Sequence, residues 1–418
     1  MKHNKVKKIR NINKKTLVAT LDIGKKVHYG YFRAPSGKDI QPFAFINTSR
    51  SFDKFWERLC KFKEKHMLED IVVGFESTGP YAEPICQYLR NKSVQLVQVN
   101  PIHTKRLKEL VGNSPNKTDK KDPRVIADVI SLGHSLTVIV PEGAAAHLRR
   151  LTKARERSIE CRTAMKNQLQ HLVFVIFPEL VHIIKPSTKT GMYLIKRFSD
   201  HKKLMFAGIK KLNDIIRKVS RGRLGTDRAV KLYHAAKNSV GITEGKESML
   251  FEIAHLVSKI ESESSYIEDL EKQMGQYLQK IPYSQSILSI KGIGNVTAAG
   301  LIGEVGDFRR FETVSEVLKL AGLDLYEISS GTHQGRRRIS KRGRALMRKL
   351  LYFAAINTTR KNGILHKPYQ RHLAKGMPRI KALIAIARKL IGIIFALVRD
   401  HSDYIADYSS QLVFKKAA

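Results

Sequence analysis

Two hydrophobic periods divide the chain. Residues 18–23, 27–32 and 43–46 are short apolar runs separated by Gly- and Ser-containing turns, and they read as three successive strands. Residues 51–65 change period. They open on a polar cap and place Phe52, Phe55, Leu59 and Phe62 at helical spacing. Residues 71–75 are solidly apolar, the pattern of a strand covered on both faces. A helix over 80–91 and a strand over 94–99 follow. The alternation from Thr16 to about residue 140 predicts an α/β domain, a mixed central sheet with helices packed on it.

Beyond Pro141 the strand period disappears. Residues 144–177 form one long helical segment with a seven-residue repeat at Leu151, Ser158, Met165 and Leu172, and at Ala154, Cys161 and Gln168. Residues 248–280 form a second, with Ser248 as its N-cap. Its seam is more apolar: Ile253, Ile260, Ile267 and Met274, with Leu256, Leu270 and Tyr277, interrupted by Glu263. The two are expected to pair as an antiparallel or intersubunit coiled coil, with an ordinary helical bundle as the alternative. Residues 185–245 between them are basic and mostly helical, broken at Gly222 and Gly225. Pro282 opens a mostly α C-terminal domain, with helical segments expected over 308–321, 340–357 and 382–399. The expected organisation is a basic arm 1–15, an α/β domain 16–140, a helical linker 141–281, a C-terminal domain 282–400 and a tail 401–418.

Charge changes this picture from a fold into a function class. The 418 residues carry 76 Lys and Arg against 37 Asp and Glu, a formal net charge of +39. Such an excess suits a phosphate-rich partner, because Lys and Arg displace counterions from nucleic acid. A purely architectural basic protein and a membrane-surface protein are the alternatives. Cys60, Cys86 and Cys161 are odd in number and form no CxxC pair, which points to a reducing compartment. The basic N-terminus lacks the apolar core of a secretory signal. The most apolar late stretch, 382–398, is interrupted by Arg388 and Lys389, so it reads as a buried helix. A soluble, cytoplasmic protein is expected.

Against that background a few acids stand out. Asp22 closes the run Leu17-Val18-Ala19-Thr20-Leu21-Asp22-Ile23-Gly24, and Glu76 closes Ile71-Val72-Val73-Gly74-Phe75-Glu76. Asp119 and Asp122 lie in Lys117-Thr118-Asp119-Lys120-Lys121-Asp122, where i, i+3 spacing puts both on one face if a helix starts there. Carboxylates at strand ends and a helix start are the hard oxygen ligands that Mg²⁺ requires, and a metal site on a basic protein suits phosphodiester chemistry. Each acid taken alone is more simply a solvated loop residue. Lys291-Gly292-Ile293-Gly294 resembles a helix-hairpin-helix, whose backbone N–H groups hold phosphate, and a plain glycine turn explains it equally well. Its third dinucleotide-type glycine is missing, since Thr297 stands there, and no Walker A sequence occurs. Residues 331–350 hold eight Lys or Arg and no acid, including Arg336, Arg337, Arg338, Lys341 and Arg342. A serine beside such a cluster can attack phosphorus or merely donate a hydrogen bond to phosphate. The 15 histidines show no metal-ligand spacing.

The ordered set Leu21-Asp22-Ile23-Gly24, Phe75-Glu76-Ser77-Thr78-Gly79-Pro80-Tyr81, Lys117 to Asp122, Ile290 to Gly294, Ser330-Gly331 and Ile339-Ser340-Lys341-Arg342-Gly343 resembles the DEDD-type insertion-sequence transposases. The resemblance spans roughly residues 16–360. It implies a RuvC-like, ribonuclease-H-type N-terminal domain in which Asp22, Glu76, Asp119 and Asp122 bind Mg²⁺. It places the family's covalent serine nucleophile on Ser330, with Ser329 beside it. It implies donor and target DNA as partners, a structured bridge RNA as guide, and a homo-oligomer, dimer or tetramer, whose active sites combine domains from different subunits. A prokaryotic cytoplasm, with nucleoid association during activity, follows from the same likeness. Within the same chemistry, a junction resolvase or nuclease without a covalent intermediate is the rival reading. In another class, a non-catalytic nucleic-acid-binding protein is.

Overall fold

The computed structural model describes residues 12–76, 79–112, 122–138, 141–198, 200–327, 335 and 337–405. The chain divides into two compact units, Met1–Val140 with Phe308–Glu316, and Pro141–Asp307 with Val317–Ala418.

The first unit is built on one mixed sheet. Its elements are β1 (Thr16–Ile23), β2 (Val27–Arg33), β3 (Phe43–Ile46), α1 (Ser49–Lys65), β4 (Asp70–Glu76), α2 (Glu83–Arg90), β5 (Gln95–Val99), α3 (Pro101–Gly112), α4 (Asp122–Ser131) and β6 (Ser135–Thr137). Strand order is β3-β2-β1-β4-β5-β6. β1 runs antiparallel to β2 and parallel to β4, β5 is parallel to β4, and β6 is antiparallel to β5. The sheet is covered on both sides, which explains the unbroken apolar runs. Leu17, Ala19, Leu21, Ile71, Val73 and Phe75 meet Phe52, Phe55, Leu59 and Phe62 of α1 and Ile85 and Leu89 of α2. On the opposite face, Val18, Val72, Val97 and Val99 meet Ile126, Val129 and Ile130 of α4.

Residues 13–15 do not behave as part of a free arm. Asn13 Oδ1 accepts from the Lys15 amide and the Thr16 hydroxyl, and the Lys15 carbonyl accepts from the amides of Glu69 and Asp70. Residues 1–11 lie outside the described residues.

The second unit is helical. Its scaffold is a long hairpin of α5 (Gly143–Ile176) and α10 (Lys246–Gln279). Arg155 Nε donates to Glu271 Oε1 at 2.7 Å, Arg162 Nη1 to Ser264 Oγ at 3.2 Å and Gln168 Nε2 to Glu252 Oε1 at 2.7 Å, so the two helices run antiparallel within one chain. The seam residues Ile253, Ile260, Ile267 and Met274 are buried. α10 starts at Lys246 behind Gly245, whose φ is +67°, so Ser248 lies inside the helix and is not its cap.

Between the long helices come α6 (Leu180–Ile183), α7 (Lys189–Phe198), α8 (His201–Ser220) and α9 (Thr226–Lys237). Leu194, Phe198, Leu204, Leu212 and Leu232 of these helices share one core with Leu172 and Ile176 of α5 and Ile253 and Leu256 of α10. The C-terminal part adds α11 (Ser284–Leu288), α12 (Asn295–Val305), α13 (Val314–Ala321), the two-stranded β7 (Leu325–Tyr326) and β8 (Arg338–Ile339), α14 (Ala345–Thr358), α15 (His366–Ala374) and α16 (Arg379–Arg399). No helix among the described residues is long and apolar enough to cross a membrane. Cys60, Cys86 and Cys161 are free thiols, and burial pushes that of Cys86 up to about 12.

Candidate active site

Strand alternation decides which side chains share a face with α4. On β1, Val18 packs in the α4-side core, and Thr20, fully buried, donates its hydroxyl to the Pro123 carbonyl at 2.6 Å. Asp22 is the next residue in that phase. On β4, Val72 lies in the same core, and a Cβ at Gly74 would meet Ile130 Cδ1 at 2.1 Å. Glu76 is next in phase there. Leu21 pairs with Phe75, so Asp22 and Glu76 follow one rung further, at the carboxyl ends of adjacent parallel strands whose backbones are ~5 Å apart. Both are half-buried. From β1 the sheet extends one way through β2 and β3 and the other way through β4 and β5. In open α/β sheets, the strand ends at such a divide are where ligands bind.

Asp122 is the first residue of α4 and is 8% exposed. Pro123 is tolerated there because the first helical turn has no amide partner to lose. Among the described residues the helix runs from Asp122, which lies in its first described turn. Asp119 lies outside the described residues, as does residue 121 before the helix. A buried carboxylate needs a counter-charge, and Lys108 of α3 supplies it, with Nζ 2.6 Å from Asp122 Oδ1. Asp128, two turns along α4, is instead paired with Arg33 of β2 at 2.5 Å. Among the described residues, no three His, Cys, Asp or Glu side chains converge closely enough to hold a metal ion. Asp22, Glu76 and Asp122 therefore lie toward one end and one face of the sheet without converging into a metal-holding cluster, and Asp119 falls outside the described residues.

Thr20 and Lys108 did not stand out in the sequence. Thr20 had a signal, a hydroxyl inside an apolar run two residues before Asp22, whereas Lys108 is one lysine among many. Thr20→Val removes the buried hydroxyl's bond to the Pro123 carbonyl and is expected to cost ~0.5–1.5 kcal/mol in chemical denaturation, while Thr20→Ser retains the bond and most of the stability.

In the second unit, the basic turn after β8 is held firmly. Ser340 Oγ donates to Asp324 Oδ1 at 2.5 Å, and the Ser340 amide donates to the Asp324 carbonyl. Lys341, at φ +56°, donates its amide to the Gly322 carbonyl. Arg348 Nη1 bridges the carbonyls of Ala321 and Gly343 at 3.0 Å each. These contacts clamp 340–344 as a non-helical turn, so the helix expected from residue 340 starts only at Ala345. A Cβ on Gly343 would lie 2.4 Å from the Gly322 amide, so the close approach requires glycine. Arg338, Lys341 and Arg342 are exposed, and Arg337 Nε pairs with Glu327 Oε2 at 2.9 Å. Ser329, Ser330, Gly331 and Arg336 lie outside the described residues, between the paired strands β7 and β8.

Below that turn, Arg344 faces Glu304 of α12, with Nε 3.9 Å from Oε2. Burial, aided by the nearby Arg149 cation, pushes the Arg344 guanidinium down to about 10, against the pull of Glu304. The Lys291–Gly294 turn joins α11 to α12. Gly292 has φ +109°, and a Cβ there would lie 3.0 Å from Thr358 Cγ2, so backbone conformation and packing on the end of α14 explain this glycine. Gly294 caps α12 and faces open space, and Lys291, Gly294 and Asn295 are exposed.

Two family profiles match the chain. One, described as "Transposase" and of the DEDD, IS110 type, covers residues 19–178, and the other, described as "Transposase IS116/IS110/IS902 family", covers residues 284–370. Together they span more than half of the sequence, and both describe enzymes of DNA transposition, which cut and rejoin DNA. An insertion element IS110 uncharacterized 43.6 kDa protein of Streptomyces coelicolor is 24% identical over 389 residues, 92% of this chain and 94% of its own length. The insertion element IS900 uncharacterized 42 kDa protein of Mycobacterium paratuberculosis is 25% identical across 69% of this chain and 73% of its own. The transposase for insertion sequence element IS1111A of Coxiella burnetii is 24% identical across 69% of this chain and 68% of its own. The chain belongs to the DEDD-type insertion-sequence transposases.

Proposed function

We propose that this transposase excises and inserts its own insertion sequence as a site-specific recombinase, using an Mg²⁺-binding acidic tetrad and a serine nucleophile. The observation that carries the proposal is the placement of Asp22 and Glu76 at neighbouring parallel strand ends, on the face where Asp122 heads α4. The domain would be RuvC-like. A central antiparallel pair followed by parallel strands, in the order β3-β2-β1-β4-β5, supports that assignment.

Asp22, Glu76, Asp119 and Asp122 would hold the metal, and an all-carboxylate donor set suits Mg²⁺. When bound, the metal would polarise the scissile phosphate and neutralise charge developing on its oxygens. Ser330 Oγ attacks phosphorus. A phosphoserine P–O bond forms while the bond to one deoxyribose oxygen breaks, the serine proton passes to solvent, and the departing oxygen gains one. Rejoining reverses the step, with a free DNA hydroxyl attacking the phosphoserine. The ester bond is conserved, so no ATP is needed. Arg336, Arg337, Arg338, Lys341 and Arg342 would neutralise the phosphates around the serine. Lys291, Gly292 and Gly294 would seat a further phosphate at the exposed start of α12.

Donor and target DNA would be selected by base pairing to a structured bridge RNA encoded by the element, leaving the protein to sense backbone and shape. The active form would be a homo-oligomer, a dimer or tetramer, acting in a prokaryotic cytoplasm at the nucleoid. The proposed division of the chain is an arm that ends before the anchored residues 13–15, a RuvC-like domain to residue 140, a helical linker 141–281, a C-terminal domain 282–400 carrying Ser330 and a helix-hairpin-helix-like motif, and a tail 401–418.

Chelation tests the metal part. With element-end DNA and RNA transcribed from the noncoding segment beside the gene, EDTA is expected to reduce strand cleavage to background, and added Mg²⁺ to restore it. Undiminished cleavage in EDTA would remove the tetrad from the chemistry.

A further inference from the structure

The helical insertion between α5 and α10 has no part in the chemistry proposed above. Residues 201–223 carry eight Lys or Arg and a single acid, Asp214. On α8, Leu204, Leu212 and Ile216 are buried in the core, which turns the opposite side outward. Lys210, Lys211, Arg217 and Lys218 are exposed at helical repeats of seven, and Arg221 and Arg223 continue the series into the following turn. From Lys210 to Arg221 this stripe extends ~16 Å, enough for several phosphates.

Elsewhere in the same unit, acids answer the bases. Lys196 pairs with Glu261 at 2.8 Å, Lys231 with Asp227 at 3.1 Å and Lys246 with Asp200 at 2.6 Å. No ion pair among the described residues involves the six cations of the stripe. Asp214 stands at i+4 from Lys210 and at i−4 from Lys218, but one acid among eight bases leaves most of the positive charge unanswered, and Arg217 and Arg221 are like charges at i, i+4.

Phe206 lies on α8 just before the stripe and is 82% exposed. The helix breaks two residues later at Gly208, with φ +74° and ψ +160°. A Cβ at Gly208 would meet nothing within 4 Å, so this glycine serves the backbone break and not close packing. A phenyl ring in water, one kink and four residues ahead of a row of cations, has the composition of a single-strand platform, in which cations follow the backbone and a ring stacks on a base. Duplex DNA offers no free base face to such a ring.

We propose that the outer face of α8, with Phe206 and the Arg221–Arg223 turn, binds unpaired single-stranded DNA, of the kind a transposase exposes when strands separate for exchange. DNA is chosen because it is the substrate class of the family. The assignment stands apart from the metal and serine chemistry.

The test uses the full chain in EDTA, so that binding is read without cleavage, with fluorescence anisotropy of a mixed-sequence DNA single strand, the matching duplex and RNA of the same sequence. In the quadruple variant Lys210→Glu, Lys211→Glu, Arg217→Glu and Lys218→Glu, single-strand affinity is expected to fall at least ~10-fold, and the slope of log affinity on log salt to shrink by about 3. Phe206→Ala is expected to weaken single-strand binding about 5- to 100-fold while duplex binding stays level. All five side chains are outside the core, and unchanged thermal melting verifies the fold. Unchanged single-strand affinity in both variants overturns the proposal. So does a Phe206→Ala loss that is equal on duplex, or a loss seen on RNA but not on DNA.

Discussion

Glu76→Gln is expected to abolish strand cleavage and recombination while DNA binding survives. The substitution keeps the shape of the side chain and removes one negative charge from the carboxyl end of β4, beside Asp22 on β1. Even outer-sphere partners of metal ligands are commonly worth 10–100-fold, so loss of a direct ligand is expected to lower cleavage by more than ~100-fold. Binding is carried by a surface of net charge +39, on which one charge is a small change. The fold tolerates the change because Glu76 is half-buried at a strand end, outside both hydrophobic clusters of the sheet. Gel-shift and cleavage assays on one preparation separate the two effects. A non-catalytic architectural protein would be indifferent to the substitution in both, and normal cleavage by Glu76→Gln would mean that the strand-end acids do not hold the metal.

Ser330→Ala is expected to remove both cleavage and any covalent protein–DNA species. Here the two enzymatic readings part. A metal-dependent junction resolvase attacks with water and keeps cutting after the serine is lost. A serine recombinase loses the nucleophile outright, and removal of a nucleophile typically costs several orders of magnitude in rate. Ser329→Ala is the internal control, expected to retain cleavage and adduct. If it carries the loss instead, the nucleophile is displaced by one residue. The clamp of Ser340 on Asp324 and of Arg348 on Ala321 and Gly343 fixes the chain just after β8, and both serine variants leave its residues unaltered in sequence.

Much of the fold was legible because single residues had one physical option. The runs ending at Asp22 and Glu76 are apolar at nearly every position, and the sheet buries them between α1 and α2 on one side and α4 on the other. The seam at Ile253, Ile260, Ile267 and Met274 had to meet another helix, and it meets α5 in an antiparallel hairpin. Features set by long-range contact were not legible. The start of α10 follows the left-handed Gly245, whereas Ser248 carries the commoner capping side chain. Residues 340–344 precede a helical pattern without a clear stop, yet hydrogen bonds to Gly322 and Asp324 hold them in a non-helical turn. Phe308–Glu316 groups with the N-terminal unit, which no local pattern announces. For the site, the strand-end phase of Asp22 and Glu76 could be read from alternation. The Lys108 counter-ion of Asp122 could not, because it joins two helices that only the fold brings side by side.

The most direct measurement is the mass of the peptide that becomes attached to DNA. Wild-type protein is incubated with element-end DNA, the flanking RNA and Mg²⁺, denatured during turnover, then digested with nuclease and trypsin. Trypsin releases residues 320–336 as one peptide containing both Ser329 and Ser330. A deoxynucleotide phosphate is expected on Ser330 in this peptide and is expected to be absent from Glu76→Gln. A nucleotide on a residue elsewhere in the chain, or efficient strand exchange with no nucleotide on any peptide, would contradict the serine mechanism.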